Sequence, residues 1–397
     1  MTRPARGVLS ASIALAMAAG VLLAPARAGA AIAHRSTAAP AAQRIDPGEL
    51  QQLLDQIVAA GAPGAAAWIR DEHGVLTATS GVADLRTGRP MRADLHYRAG
   101  SVAKSLVATV VLQQVAEGRL SLQDTVARWL PGILPYGDQV TIEQLLRHTS
   151  GVPDYAPELV VALLSGPRQA RFRRWTPQEL VGLVADQPPD FVPGTATAYS
   201  NTGHVLVGLV VEAATGRTLG QELRRRILRP LGLRDTFFPV NAHGLPSPKA
   251  RGYSVPVSPQ GELLAGPLLD VTIYNPSPWW AAGNLISTFA DLARFFRALL
   301  GGRLLPPRLL AEMATPNPTS PPPFREAMGL EVIDTPGGRL LGHGGDVPGF
   351  SNAVFSTEDG RRQFGLMMNL YKAPPAVQAA YLQALVTISL RLLQGAA

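Results

Sequence analysis

Three short groups of residues in this 397-residue sequence bring together side chains that can transfer an acyl unit. Ser101 and Lys104 stand three apart at the start of an apolar run that continues through Val111 and Leu112 to Gly118. Residues three apart on a helix share a face, so the lysine amine can reach the serine hydroxyl. A serine hydroxyl is a weak nucleophile until a base takes its proton, and burial together with the positive end of a helix pushes a lysine pKa down toward that role. By spacing alone the pair reads equally as an exposed helix-cap serine beside a lysine that reaches for solvent. The other positions of the run are mainly Ala, Val and Leu, which favours chemistry.

Tyr199 and Asn201 flank Ser200 after Pro193-Gly194 and before the apolar helix pattern of residues 204–214. Two residues apart in an extended or irregular segment, a phenol and an amide project to one side. The phenol can relay a proton if nearby cations lower its pKa, and the amide can hold a substrate carbonyl. Taken alone, the tripeptide is also a capped helix start. The run Gly342-His343-Gly344-Gly345-Asp346 follows a strand-like stretch, residues 339–341. Glycines in an edge strand admit a second backbone, and the same glycines make an ordinary turn.

The elements that must position these groups are legible from pattern. A helix is expected over residues 47–60, with Leu50, Leu53, Leu54 and Ile57 on one face. Two hairpins are expected, one across the turn Asp71-Glu72-His73-Gly74 and one across Glu358-Asp359-Gly360. Thr141 with Gln144 and Thr176 with Glu179 are capping boxes, and Ser287-Thr288 with Asp291 marks a third helix start. Residues 376–393 are apolar, but Gln378, Gln383 and Arg391 interrupt them, which points to a helix packed on a sheet and not to a membrane span. The fold class is α+β, an α/β sandwich whose antiparallel sheet is built from both chain ends and flanked by helices, with a mostly helical domain inserted. The division is 46–105 with 270–397 for the sheet domain and 106–269 for the helical domain.

Composition excludes several classes. There is no cysteine, hence no disulfide, thiolate chemistry or zinc ribbon. The net charge of +7 comes from 33 Arg and 3 Lys scattered along the chain, without the interleaved aromatics of a nucleic-acid platform, so no nucleic-acid partner is expected. The runs at residues 168–174 and 224–229 read as solvated helix faces. Arg3 and Arg6, the apolar stretch 8–23 and Ala26-Arg27-Ala28 form an export signal, residues 1–28, followed by a disordered lead-in, residues 29–45. A secreted or cell-wall location, with no membrane anchor after signal cleavage, is the expectation.

In their order, Ser-x-x-Lys, Tyr-x-Asn and His-x-Gly resemble the motifs of the serine β-lactamase and penicillin-binding superfamily, in its class C β-lactamase and secreted D-Ala-D-Ala carboxypeptidase branch. Residues 141–151, 230–236 and 282–288 are similar to that family too, as are Gly61-Ala62-Pro63-Gly64, Gly81-Val82-Ala83-Asp84 and Thr87-Gly88-Arg89. The resemblance implies Ser101 as acylated nucleophile, with Lys104 and Tyr199 sharing its proton. It implies Asn201 on the substrate amide, His343 in a cationic or hydrogen-bonding role, and Gly344, Gly345 and Asp346 along the substrate. The backbone N–H groups of Ser101 and Asp346 would form the oxyanion hole. Neither a metal nor a cofactor is implied.

Relatives that cleave a terminal D-alanine commonly carry threonine where this chain has Gly344 and Asp346, and some carry an arginine just before the strand. Here residues 331–336 offer none, and Arg339 is no more than a possible substitute. The expected activity is that of a D-alanyl-D-alanine carboxypeptidase-like hydrolase on peptidoglycan stem peptides. The alternatives are an esterase or class C-type β-lactamase acting on a small ester or β-lactam, and a penicillin-binding sensor that acylates without turnover. Asp346, by its charge, is expected to oppose a substrate carboxylate. His148 reads as structural, and Trp279-Trp280 either lines the cleft or fills the domain junction.

Overall fold

The computed structural model describes residues 45–335 and 337–394. The export signal and almost all of the lead-in lie outside the described residues. Helix α1, Pro47–Ala59, starts where Asp46 accepts hydrogen bonds from the N–H groups of Gly48 and Glu49, and Pro47 needs no donor partner at its first position. Its buried face is Leu50, Leu53, Leu54 and Ile57, the periodic set in the sequence.

The N-terminal part supplies β1, Gly64–Asp71, β2, Gly74–Asp84, and β3, Arg89–Pro90. Two-residue strands β4, Tyr97–Arg98, β5, Tyr253–Ser254, β6, Leu269–Asp270, and β7, Ile286–Ser287, are scattered through the middle. The C-terminal part supplies β8, Phe324–Glu326, β9, Glu331–Thr335, β10, Gly338–Val347, β11, Phe350–Thr357, β12, Gln363–Met368, and β13, Leu370–Tyr371. Eight of these form one antiparallel sheet in the order β3-β2-β1-β12-β11-β10-β9-β8. The chain ends are joined by β1 against β12, from Ala65 opposite Met368 to Arg70 opposite Gln363.

One face of the sheet is covered by α1 and the last helix, Pro375–Gln394, whose Val377, Tyr381, Leu385 and Ile388 are buried against Phe355, Phe364 and Leu366. That helix is long and apolar enough to cross a membrane by composition, yet half of it is buried in the protein, as a sheet-packing helix requires. The other face merges with the helical middle in one continuous core. At its centre is α2, Ala103–Ala116, with every residue from Ala103 to Leu112 buried. A helix enclosed on all sides carries no amphipathic stripe. Beside it runs the helix Asn201–Thr215, where Gly208 leaves room for the Trp280 ring, which would lie 2.8 Å from a β-carbon there. Trp279 and Trp280 are both buried in this core.

Both expected capping boxes form, and a third, Thr218 with Gln221, had no place in the sequence argument. The second arginine run departs from expectation. Arg226 is buried and pairs with Glu117 and Glu222, each at 2.6 Å, because two carboxylates on neighbouring elements satisfy its fork. The first run is only partly solvated, since Arg171 donates to the carbonyls of Leu163 and Asp270.

Candidate active site

Ser101 lies within a 3₁₀ turn, Gly100–Val102, that leads directly into α2. Gly100 has φ +56°, a left-handed conformation that favours glycine, and this turns the chain so that Ser101 sits against β10. Lys104, fully buried, has three partners: Ser101 Oγ at 3.1 Å, Asn201 Oδ1 at 2.9 Å and the Ala282 carbonyl at 2.6 Å. Burial pulls its pKa down to about 7, against the opposing pull of Asp154, Glu326 and Glu331. A neutral amine has two N–H donors and one lone pair. The amide oxygen and the carbonyl accept the two donors, so the lone pair is left for the Ser101 hydroxyl.

Tyr199 completes the group. Its phenol lies near Ser101, whose hydroxyl favours the ionised phenol, and its ring centroid is 4.6 Å from the Lys104 ammonium position. Burial holds the phenol pKa well above its usual value, with Glu326, Glu331 and Asp154 adding to the effect, so Tyr199 is a neutral relay and not the phenolate that nearby cations would favour. Ser200 caps the next helix through the N–H of Gly203, which fixes Tyr199 on one side of the cap and Asn201 on the other. His148, at φ 57°, stacks on Tyr199 with centroids 4.3 Å apart, and its Nδ1 accepts from the Ser200 N–H at 3.1 Å. Burial drives its pKa well down, so it is a neutral wall that orients the phenol.

Asn201 is held from both ends. Its Nδ2 donates to Asp154 Oδ2 at 3.0 Å, while Asp154 Oδ1 accepts from its backbone N–H at 3.1 Å. The amide oxygen is therefore oriented toward Lys104. One Nδ2 hydrogen remains for a substrate carbonyl.

β10 forms the opposite wall. A β-carbon on Gly345 would lie 2.0 Å from the Ala99 carbonyl oxygen, so only glycine allows the strand to approach the nucleophile turn this closely. Asn352 on β11 ties the two together by donating to the Gly345 carbonyl at 2.8 Å and more weakly to that of Ala99 at 3.4 Å. Asp346 N lies 3.3 Å from where a Gly100 β-carbon would stand, beside Ser101. In an antiparallel ladder N–H groups alternate between the two edges. Gly344 N–H points to the edge that β9 vacates, and by that alternation so does Asp346 N–H.

His343 has its Nδ1 against two acceptors, the Gly344 carbonyl at 2.6 Å and Glu331 Oε1 at 3.4 Å, which assigns the proton to Nδ1. Nε2 is buried without a hydrogen-bond partner, and burial pulls the pKa down to about 3. Of the two roles expected for His343, cationic or hydrogen-bonding, these surroundings favour the neutral hydrogen-bonding one. The Asp346 side chain is exposed, with the Lys372 charge favouring its ionised form, while the Ser351 hydroxyl donates to the Leu370 carbonyl at 3.1 Å.

The beta-lactamase family model matches residues 50–388. The chain belongs to that family. It is a family of serine hydrolases, and the large antiparallel sheet flanked by helices matches the fold of its solved members. Esterase EstB of Burkholderia gladioli is 34% identical over 255 residues, covering 59% of this chain and 64% of that protein. Penicillin-binding protein 4 of Amycolatopsis lactamdurans is 33% identical over 257 residues, covering 62% of this chain and 61% of that protein. The match thus spans less than two thirds of each of these relatives. Among solved structures, a D-stereospecific amidohydrolase from Streptomyces sp. superposes with a TM-score of 0.77 at 37% identity, covering 85% of this chain and 98% of that one. D-amino acid amidase from Ochrobactrum anthropi SV3 superposes at 0.74 with 29% identity, covering 87% and 98%.

Within this beta-lactamase-family fold, Ser101, Lys104, Tyr199 and Asn201 converge, and β10 brings His343, Gly345 and Asp346 beside them. Four neighbours had no signal in the sequence: Asp154, Glu326, Glu331 and Asn352. Glu326 and Glu331 stand opposite each other across β8 and β9. Burial raises both carboxyl pKa values, and repulsion from Glu331 adds to the rise at Glu326. Arg339 is not a carboxylate anchor, since it pairs with Asp334 at 3.0 Å.

Proposed function

We propose that this protein hydrolyses esters or amides through an acyl-enzyme on Ser101, and that it favours substrates without a free carboxylate beside the scissile bond. The observation that carries the proposal is the lone pair of Lys104 left facing Ser101 by two fixed acceptors. Lys104 takes the serine proton as the hydroxyl attacks, and Tyr199 carries a proton to the leaving group. The N–H groups of Ser101 and Asp346 receive the oxyanion, and water then releases the acyl group by the reverse transfer.

Preference against a carboxylate is supported by what stands at Gly344. Its N–H is taken by Glu331, Glu326 lies behind, and the nearby Arg325 and Arg339 both engage Asp334. A carboxylate placed there would find the Gly344 N–H already taken and none of the threonine hydroxyls found in carboxypeptidase relatives to receive it. Relatives named as an esterase and an amidohydrolase support the same choice. A D-alanyl-D-alanine carboxypeptidase acting on peptidoglycan stem peptides is the second reading, favoured by relatives named penicillin-binding proteins. Export is proposed on the strength of Arg3, Arg6, the apolar stretch 8–23 and Ala26-Arg27-Ala28.

The test is a side-by-side assay with a short aryl ester, a D-amino acid amide, a chromogenic cephalosporin and a D-Ala-D-Ala peptide. The expected result is turnover of ester or amide with kcat/KM at least about tenfold above that for the peptide. Preferred turnover of the peptide supports the carboxypeptidase reading instead. A stable penicilloyl adduct with no turnover of any substrate points to a sensor.

A further inference from the structure

We infer that Glu331 is a positioning and specificity residue: its carboxylate occupies the stretch of β10 edge along which an extended peptide would pair, and so directs the site to compact substrates. β9 leaves β10 at the pair Gly342 with Glu331. From there to Val347 no strand among the described residues lies beside the outer edge of β10, although β11 continues on the inner side to the pair Val347 with Phe350. A bare edge next to a nucleophile is a template for strand addition by a substrate.

Here the first donor on that edge is already used. Glu331 Oε2 accepts the Gly344 N–H at 2.9 Å, and Oε1 faces His343 Nδ1 at 3.4 Å. Only 16% of the side chain is exposed, so it is a fixed part of the wall and not a mobile surface acid. The same contact holds the strand. The carboxylate takes the Gly344 N–H that a neighbouring strand would otherwise take. Asp346 N–H, two residues further along the same edge, stays free for the oxyanion.

This inference rests on the acyl-transfer proposal, and its test separates the two. Two neutral substrates with the same scissile ester are compared: a short alkyl ester, and an amidated depsipeptide extended by two residues on both sides. The parent enzyme should take the short ester at least as well as the depsipeptide. Glu331→Ala frees the Gly344 N–H and should raise kcat/KM for the depsipeptide relative to the short ester by about tenfold, mainly through KM, while kcat on the short ester falls about tenfold as the strand loosens. Glu331→Gln keeps an acceptor on that N–H. It should recover most of the lost kcat and leave the substrate ratio within about threefold of the parent. A parent that turns over neither ester overturns the acyl-transfer proposal. A working parent that already favours the depsipeptide, a ratio unmoved in Glu331→Ala, or equal shifts in the Ala and Gln variants would each overturn the role of Glu331 alone. The parent comparison and the Gln variant decide the matter even if the Ala variant does not fold.

Discussion

Lys104 is the residue on which the chemistry turns, because its surroundings leave the amine one free lone pair and aim it at Ser101. Replacing Lys104 by Ala or Tyr199 by Phe should each slow acylation about 10²–10⁴-fold, as loss of a general base or relay does. Because the two move one proton, the double variant should lose far less than the product of the single losses; pre-steady-state acylation rates give the comparison. The lysine must be neutral to accept, and its pKa is pulled down to about 7 by burial. Below that value the amine is protonated, so kcat/KM should fall as pH drops below about 7. A pH profile flat from 5 to 9 would remove Lys104 from the base role. His343 adds no limb in this range, since its pKa of about 3 leaves it neutral throughout.

At the scale of elements, the nucleophile turn and β10 meet through glycines that let two backbones touch. Gly345→Ala should therefore cost more than its size suggests. The added carbon would stand 2.0 Å from the Ala99 oxygen, and relief requires β10 to move away from Ser101. The expected outcome is at least a hundredfold loss of kcat together with a lower Tm, read by ester hydrolysis and thermal melting. This junction also shows what the sequence could and could not convey. Ser101 and Lys104 were legible because helical spacing alone places them on one face, and α1 and both hairpins because their periodicity is local. Residues 342–346 read equally as turn or strand, since three glycines erase the alternation that marks a strand. Asp154, the β8–β9 pair Glu326 with Glu331, and Asn352 come from three separate stretches and meet at Ser101 only when the sheet closes, so no local pattern could reveal them as one group. The motif position of His343 left a cationic and a hydrogen-bonding role open, and its burial favours the second.

For the whole molecule, burying acids around the site carries a cost in stability that varies with pH. Glu326 has a folded pKa above its usual value because burial disfavours the carboxylate, with Glu331 adding repulsion and Lys104 opposing. A carboxyl raised in the folded state binds its proton more tightly there than in the unfolded chain. Its unfavourable contribution is therefore absent below the unfolded value of about 4.5 and grows as pH rises toward the folded one. Glu326→Gln should raise Tm by about 1–3 °C at pH 8 and leave it nearly unchanged at pH 4.5. Equal shifts at both pH values would mean that the carboxylate charge is not the cause. The central claim, that the folded chain converges on Ser101 as an acylated nucleophile, is tested most directly by mapping the site of covalent labelling. Purified protein treated with a fluorophosphonate and digested for mass spectrometry should carry one adduct, on the peptide containing Ser101, and Ser101→Ala should carry none. Label on Ser105 or Ser200 instead, or equal labelling of the Ser101→Ala variant, would contradict it.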